Sequence, residues 1–201
     1  METIKIYNNN IAENQIELVV ETLKAGGVVV LPTDTLYAIA CDALNPKAIE
    51  RVCRMKGINP EKTNLSILCD DISMVSEYAK FDNYAFKLMK ENTPGPFTFL
   101  FKAASSLPRA FKGRKIVGIR IPDNEAVRKI IEKLENPLLS TSIMYRDEDY
   151  AINPDLIEEE YEAKVDLMIK GEPGKLTPSA IVDCTGSEPE IKREGPEMLR
   201  G

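Results

Sequence analysis

The chain alternates short, wholly apolar runs with longer stretches in which apolar positions return every third or fourth residue. Val28 to Leu31 is apolar throughout, the pattern of a strand covered on both faces. A short strand, "ETIKIY", and a helix over roughly residues 11–25 precede it, the helix closing at Gly26 and Gly27. "NPKAIERVCRMKG" predicts a helix with Asn45 as cap, Pro46 in the first turn, Ile49, Val52 and Cys53 inward, and Gly57 as stop. "LSILC" reads as a strand and "DDISMVSEYA" as a short helix. Asp82 to Glu91 carries Ala85, Leu88 and Met89 at helical spacing. "TPGP" breaks the chain, and "FTFLFKA" alternates as a strand. "KIVGIRIP" is a strand ending at Pro122, with Asp123 opening the helix "NEAVRKIIEKLE"; "PLLSTSIM" is a buried strand. An acidic helix near Asp155 to Tyr161, then "VDLMIK", the turn "GEPGK" and the strands "SAIVDC" and "EIKRE" complete the chain. Helices and strands alternate early and strands follow one another late. This predicts a single α/β domain over residues 1–201, with a twisted, mostly parallel or mixed sheet and flanking helices.

The polar residues at strand ends change the picture from fold to site. Pro32 stops the first core strand, and Thr33, Asp34, Thr35 and Tyr37 follow at once. Ser140, Thr141 and Ser142 end another apolar strand, while Thr177 and Ser179 precede one. Ligands of open α/β sheets gather beyond the carboxyl ends of strands, and hydroxyls donate to phosphate or carboxylate oxygens without adding charge. The same side chains also satisfy turns and caps. Among the cations, Lys56 at a helix end complements the helix dipole. Lys62, Arg120 and Arg193 are further candidates. Arg120 follows "IVGI" in a strand that reads as buried, where an unpaired guanidinium is costly. A bound carboxylate or phosphate resolves that cost, and so does an internal Asp or Glu. Asp183 in "AIVDC" poses the same question with opposite sign, and a structural partner is expected for it.

Charge adds a local asymmetry. The net charge is -6, yet six cations and no acid lie between Lys102 and Arg120, and eight acids and no cation between Asp147 and Glu162. A local basic segment in an acidic chain fits an anionic ligand; the acidic run reads as a solvated face. The chain has no histidine, which removes Ser-His and Cys-His nucleophilic machinery. Its four cysteines match no C-x-x-C spacing, so no metal site is expected, and buried thiols in a cytoplasmic protein are the simplest reading. No membrane-length apolar window and no secretory signal occurs. Neither G-x-x-x-x-G-K-[ST] nor G-x-G-x-x-G is present, so a nucleotide would be held by hydroxyls, scattered cations and backbone N–H groups.

In this order "PTDTLYAIACDA", "TPGPFTFLFK", "VGIRIP", "LLSTSIM", "PSAIVDCTG" and "KREG" resemble the YrdC/YciO family, from about Gly26 to Gly195. "NTPGPFTFLFK" and the S-T-S followed by an apolar pair look most like its YciO branch. The resemblance implies a twisted α/β sheet around a positively charged cavity. It further implies threonylcarbamoyl-adenylate synthesis from L-threonine, bicarbonate and ATP, with release of pyrophosphate, in the t6A modification of tRNA. ATP would enter as a substrate with Mg²⁺, and no tightly bound cofactor is expected. Other members are described as binding double-stranded RNA or tRNA, the alternative function. Carried over by motif, Thr33, Thr35, Tyr37, Arg120 and Ser140 would form the threonine site, with Arg120 on the carboxylate. Lys56, Ser142, Ser179 and Arg193 would face ATP. Lys62, Lys102, Arg109, Lys112, Arg114 and Lys115 would supply contacts to an anion or RNA. No catalytic acid or base is assigned, because such a reaction rests on positioning and charge neutralisation.

The chain departs from the synthase branch at three points. Lys56-Gly57-Ile58 stands where K-x-R is typical, Ser142-Ile143-Met144 where S-x-N is typical, and the histidine many members carry near "LSIL" is missing. Each lost charged hydrogen bond is worth about 1.5–3 kcal/mol, which predicts weak ATP binding or a different anion.

Overall fold

A computed structural model of the chain describes residues 1–59, 66–106, 115–143 and 148–201. The strands are β1 (Glu2–Lys5), β2 (Val28–Leu31), β3 (Ala38–Asp42), β4 (Ser66–Leu68), β5 (Ala79–Lys80), β6 (Phe97–Ala103), β7 (Ile116–Arg120), β8 (Leu138–Ser142), β9 (Leu167–Lys170), β10 (Ala180–Asp183) and β11 (Glu190–Arg193). The helices are α1 (Glu13–Lys24), α2 (Pro46–Lys56), α3 (Ile72–Tyr78), α4 (Asn83–Asn92), α5 (Glu125–Leu134), α6 (Glu148–Ile152) and α7 (Pro154–Tyr161). All strands join one mixed sheet in the order β1-β9-β2-β3-β8-β4-β7-β6-β10-β11, with β5 pairing β6. Its outer ladders β1/β9, β2/β9 and β6/β10 are parallel. The centre is built from the antiparallel ladders β2/β3, β3/β8 and β4/β8. No helix among the described residues is long and apolar enough to cross a membrane.

Helix ends follow local chemistry. The Asn45 carboxamide oxygen accepts from the backbone N–H groups of Lys47 and Ala48 at 3.1 Å each, and Gly57 closes α2 in the left-handed region at φ 62°. The expected opening of α5 at Asp123 is corrected by one residue. Asn124 is the cap, accepting from Val127 N at 3.1 Å while donating to Asn9 Oδ1 at 3.0 Å; Asp123 instead lies 3.7 Å from Arg128. An amide can accept and donate at once, which suits the buried position better than a carboxylate does.

Sequence reasoning leaves Ala38–Asp42 in a loop, whereas it is β3, a central strand with every residue buried. Alanine is a weak strand former in isolation, but packing decides here. Ala38 and Ala40 join the cluster formed with α1 and α5, through Val20, Leu23, Val127 and Ile131. Ile39 and Cys41 join the opposite cluster with Val52 and Cys53 of α2. Both clusters alternate along β2 as well, Val28 and Val30 on one face and Val29 and Leu31 on the other. The face carrying Ile39 receives α2, α3, α4 and α7. The face carrying Ala40 receives α1 and α5. Two helices of 12 and 10 residues do not span a sheet this wide, so part of that face beyond β8 stays open. The cavity described below lies there.

Small residues in β3 let α1 and α5 approach closely. The substitution Ala40→Leu therefore overfills this layer and is expected to cost about 1–3 kcal/mol, read as a lower midpoint in urea unfolding.

Candidate functional site

The open part of the sheet face has a floor of small residues in register. Ala40 pairs with Ser140, Ser140 with Ser66, and Ser66 with Gly118. A β-carbon at Gly118 would stand 2.8 Å from Ser66 Oγ, so glycine is what lets that hydroxyl lie across the strand. Two residues on along each strand the side chains lengthen again, at Leu68 and Arg120, which are themselves in register. The result is a cavity of about 220 Å³. Its lining includes Ser66, Thr98, Arg120, Ser140, Ser142, Ser179 and Arg193, with Ile58 on one wall. Among the described residues no carboxylate lines it.

Arg120 is buried, its side chain 7% exposed, and the internal acid the sequence allowed for is Asp34, itself 9% exposed. Arg120 Nη2 donates to Asp34 Oδ1 at 2.5 Å and to Thr35 Oγ1 at 3.0 Å. Burial depresses the Arg120 pKa and the Asp34 carboxylate opposes that shift. Among the described residues two atoms of this pair have no hydrogen-bond partner: Arg120 Nε and Asp34 Oδ2. Thr33 braces the loop beneath. Its Oγ1 donates to Leu36 O at 2.7 Å, accepts from Thr35 N at 3.0 Å and lies 3.1 Å from Thr35 Oγ1.

Arg193 is fixed differently. Its Nε and Nη2 both donate to the carbonyl of Ser179, at 3.0 and 2.8 Å, so its charge meets a dipole and not an acid. Burial and the nearby Arg120 both lower its pKa. Ser179 Oγ in turn lies 2.9 Å from Thr98 Oγ1. Gly195 seats this segment, because a β-carbon there would stand 2.4 Å from Ala180 N. Lys56 reaches the rim, donating to Ser142 O at 3.1 Å, and burial lowers its pKa.

The residues expected to hold threonine divide between two places. Arg120 and Ser140 line the cavity above, whereas Thr33 and Thr35 line a second one of about 240 Å³ together with Asp34, Asp123, Glu172, Glu197 and Lys175. Tyr37 is wholly buried. Its hydroxyl donates to Glu172 O at 2.9 Å and accepts from Gly171 N at 3.0 Å, tying β3 to the turn after β9, and burial raises its pKa to about 12. Of the residues expected to face ATP, Ser142, Ser179 and Arg193 line the first cavity, with Lys56 at its rim. Lys102 and Lys115 are exposed and do not line it. Lys62, Arg109, Lys112, Arg114 and Met144 lie outside the described residues. Asp183 finds its expected structural partner in Thr185, whose N and Oγ1 donate to Oδ1 at 3.0 and 2.6 Å. Sequence reasoning passes over Ser66, Thr98 and Gly118 as site residues, and leaves Asp34 without a role. A serine and a glycine inside otherwise apolar strands, "LSIL" and "IVGI", are the signal that could find two of them.

An open α/β sheet face carrying a cationic, hydroxyl-lined cavity has the chemistry that suits small anionic or zwitterionic ligands. The family model for Sua5, YciO and YrdC, described as "Telomere recombination", matches residues 21–195, and the chain belongs to this family. It is 37% identical over 193 residues to YciO of Escherichia coli strain K12, covering 94% of this chain and 93% of that protein. The crystal structure of E. coli YciO superposes with a TM-score of 0.90 at 35% identity, covering 100% of this chain and 98% of that one. A Methanocaldococcus jannaschii protein with the proposed name threonylcarbamoyl-AMP synthase is 32% identical over 195 residues, 96% of this chain and 92% of its own. P. abyssi Sua5 complexed with L-threonine shares the fold, with a TM-score of 0.85 at 24% identity; the match takes in 97% of this chain and 58% of Sua5.

Removing one member of a buried ion pair strands the other. Asp34→Ala or Arg120→Met alone is expected to cost about 3–5 kcal/mol in chemical denaturation. The double substitution is expected to cost clearly less than the two losses added, because neither charge is then left buried.

Proposed function

We propose that the chain is an ATP-dependent nucleotidyltransferase of the threonylcarbamoyl-adenylate synthase type. The threonine amine adds to bicarbonate with loss of water to give a carbamate. A carbamate oxygen then attacks the α-phosphorus of ATP, and the bond to the β-phosphate oxygen breaks to release pyrophosphate. The observation that carries this reading is the convergence, over one floor of small residues, of two guanidiniums and several hydroxyls in a cavity that no acid among the described residues lines. Cations and hydroxyls of that kind hold polyanions and stabilise charge developing at phosphorus. The M. jannaschii relative's proposed name and the threonine bound to P. abyssi Sua5 support the same reading.

The roles follow from position. Arg120 takes the threonine carboxylate, with Ser140 at the junction of amino acid and nucleotide. Arg193, which no acid among the described residues pairs, takes the phosphates with Ser142 and Ser179, and Lys56 approaches from the rim. Mg²⁺ enters on the ATP phosphates as part of the substrate. Ile58 supplies an apolar wall where a third cation would stand, so nucleotide affinity is modest.

Incubation with ATP, Mg²⁺, L-threonine and labelled bicarbonate is expected to yield threonine-dependent pyrophosphate and a labelled adenylate. Their absence with folded protein overturns the reading. Arg193→Ala is expected to raise the apparent KM for ATP by about 10–100-fold, the equivalent of one charge-assisted contact.

A further inference from the structure

Residues 194–201 follow β11 without regular secondary structure, and only Gly195 and Leu199 among them are half-buried. Gly195 is seated against Ala180 at the start of β10, and Leu199 packs on the core. A further hold comes from one side chain of α4. Asn92, buried at 6% exposure, accepts from Arg200 N at 2.9 Å through Oδ1 and donates to Arg200 O at 2.8 Å through Nδ2. The same Nδ2 donates to Leu88 O at 2.7 Å. One carboxamide thus copies the paired donor and acceptor that a neighbouring strand would offer. A buried amide is costly without partners, and Arg200 supplies two of the three bonds that satisfy this one.

Between its two half-buried residues the segment brings Glu197 into the wall of the second cavity, the one lined by Thr33, Asp34 and Thr35. We propose that Asn92 is a positioning residue: through Arg200 it latches residues 194–201 across that cavity, and releasing the latch opens the Thr33–Thr35 loop to small molecules. The span itself is exposed, Met198 at 89%, so its local opening is governed by its anchors and not by global stability. An aspartate in place of Asn92 cannot serve, because an ionised carboxylate only accepts and would face the carbonyls of Leu88 and Arg200. Arg193 precedes the span and is held by the Ser179 carbonyl, so the latch governs the second cavity and leaves the first in place. The placing of a substrate at that loop rests on the proposed function; the latch does not.

Hydrogen exchange read by mass spectrometry on the full chain tests the latch. In Asn92→Asp the amides of residues 197–200 are expected to exchange at least about tenfold faster than in the wild type, the equivalent of the two bonds lost. Carbodiimide coupling of an amine to the buried Asp34 carboxylate, read on its peptide, is expected to rise at least about fivefold, because the cavity wall then opens. In the pyrophosphate assay the apparent KM for L-threonine is expected to rise about 5–10-fold, with kcat and the KM for ATP within about twofold of the wild type. Where N92D fails to fold, Leu199→Ser loosens the neighbouring anchor and gives the same readouts. A folded variant whose residues 197–200 exchange within about twofold of the wild type overturns the proposal. Faster exchange with unchanged Asp34 labelling, or with an unchanged KM for threonine, overturns it as well. A wild type that yields no threonine-dependent pyrophosphate overturns the proposed function instead, and exchange and labelling then decide the latch.

Discussion

Burying a guanidinium at the end of a core strand is the constraint around which this molecule is organised. Arg120 ends β7 at the inner edge of the open sheet face, where leaving its charge unpaired would be prohibitive. Asp34 answers it from the loop between β2 and β3, and this fixes the path of that loop. Pro32 ends β2, Thr33 closes a turn onto Leu36 and Thr35, and Thr35 adds a second acceptor for Arg120. The loop then returns as β3 in antiparallel register, so that the hydroxyl-rich segment is anchored on both sides by central strands. The ion pair is both a structural tie and the most polar feature of the site.

The cavity exists because of what the sheet lacks on this face. Two helices cover one part of it, and beyond them a row of alanine, serine, serine and glycine replaces the bulky side chains that would otherwise fill the hollow. The opposite face shows the contrast, with Ile67, Phe99, Phe101, Ile119 and Leu139 packed beneath the helices. One set of strands thus supplies a close-packed core on one side and a polar hollow on the other. Alternation of side chains along a strand makes this possible without disturbing the ladder.

Much of the fold was legible because local signals and tertiary packing agree. Asn45 and Pro46 open α2, Gly57 closes it, and the apolar run Val28–Leu31 is a strand buried on both faces. Where they diverge, the sequence misleads. Ala38–Asp42 follows the hydroxyl-rich turn directly and carries two alanines, weak strand formers in isolation, whose fit beneath α1 and α5 favours the strand. The site was legible as a list of residue types and not as an arrangement. Arg120 announced its need for a partner, but Asp34 and a bound anion satisfy that need equally well on paper. Only the register of β2, β3, β8, β4 and β7 decides between them. The same register separates Thr33 and Thr35 from Ser140 into different cavities, a division that no spacing along the chain encodes.

The two arginines of the cavity are therefore different instruments. Arg120 is compensated by an acid, and its Nε is buried without a hydrogen-bond partner among the described residues. Arg193 is oriented by a carbonyl and lines the cavity with no acid paired to it among the described residues. The hydroxyls of Ser140 and Ser142 lie along one strand of that cavity. Ile58 adds an apolar wall to the same cavity. The two guanidiniums are thus held by different means, an acid for one and a carbonyl dipole for the other, and each can be altered without removing the other's partner.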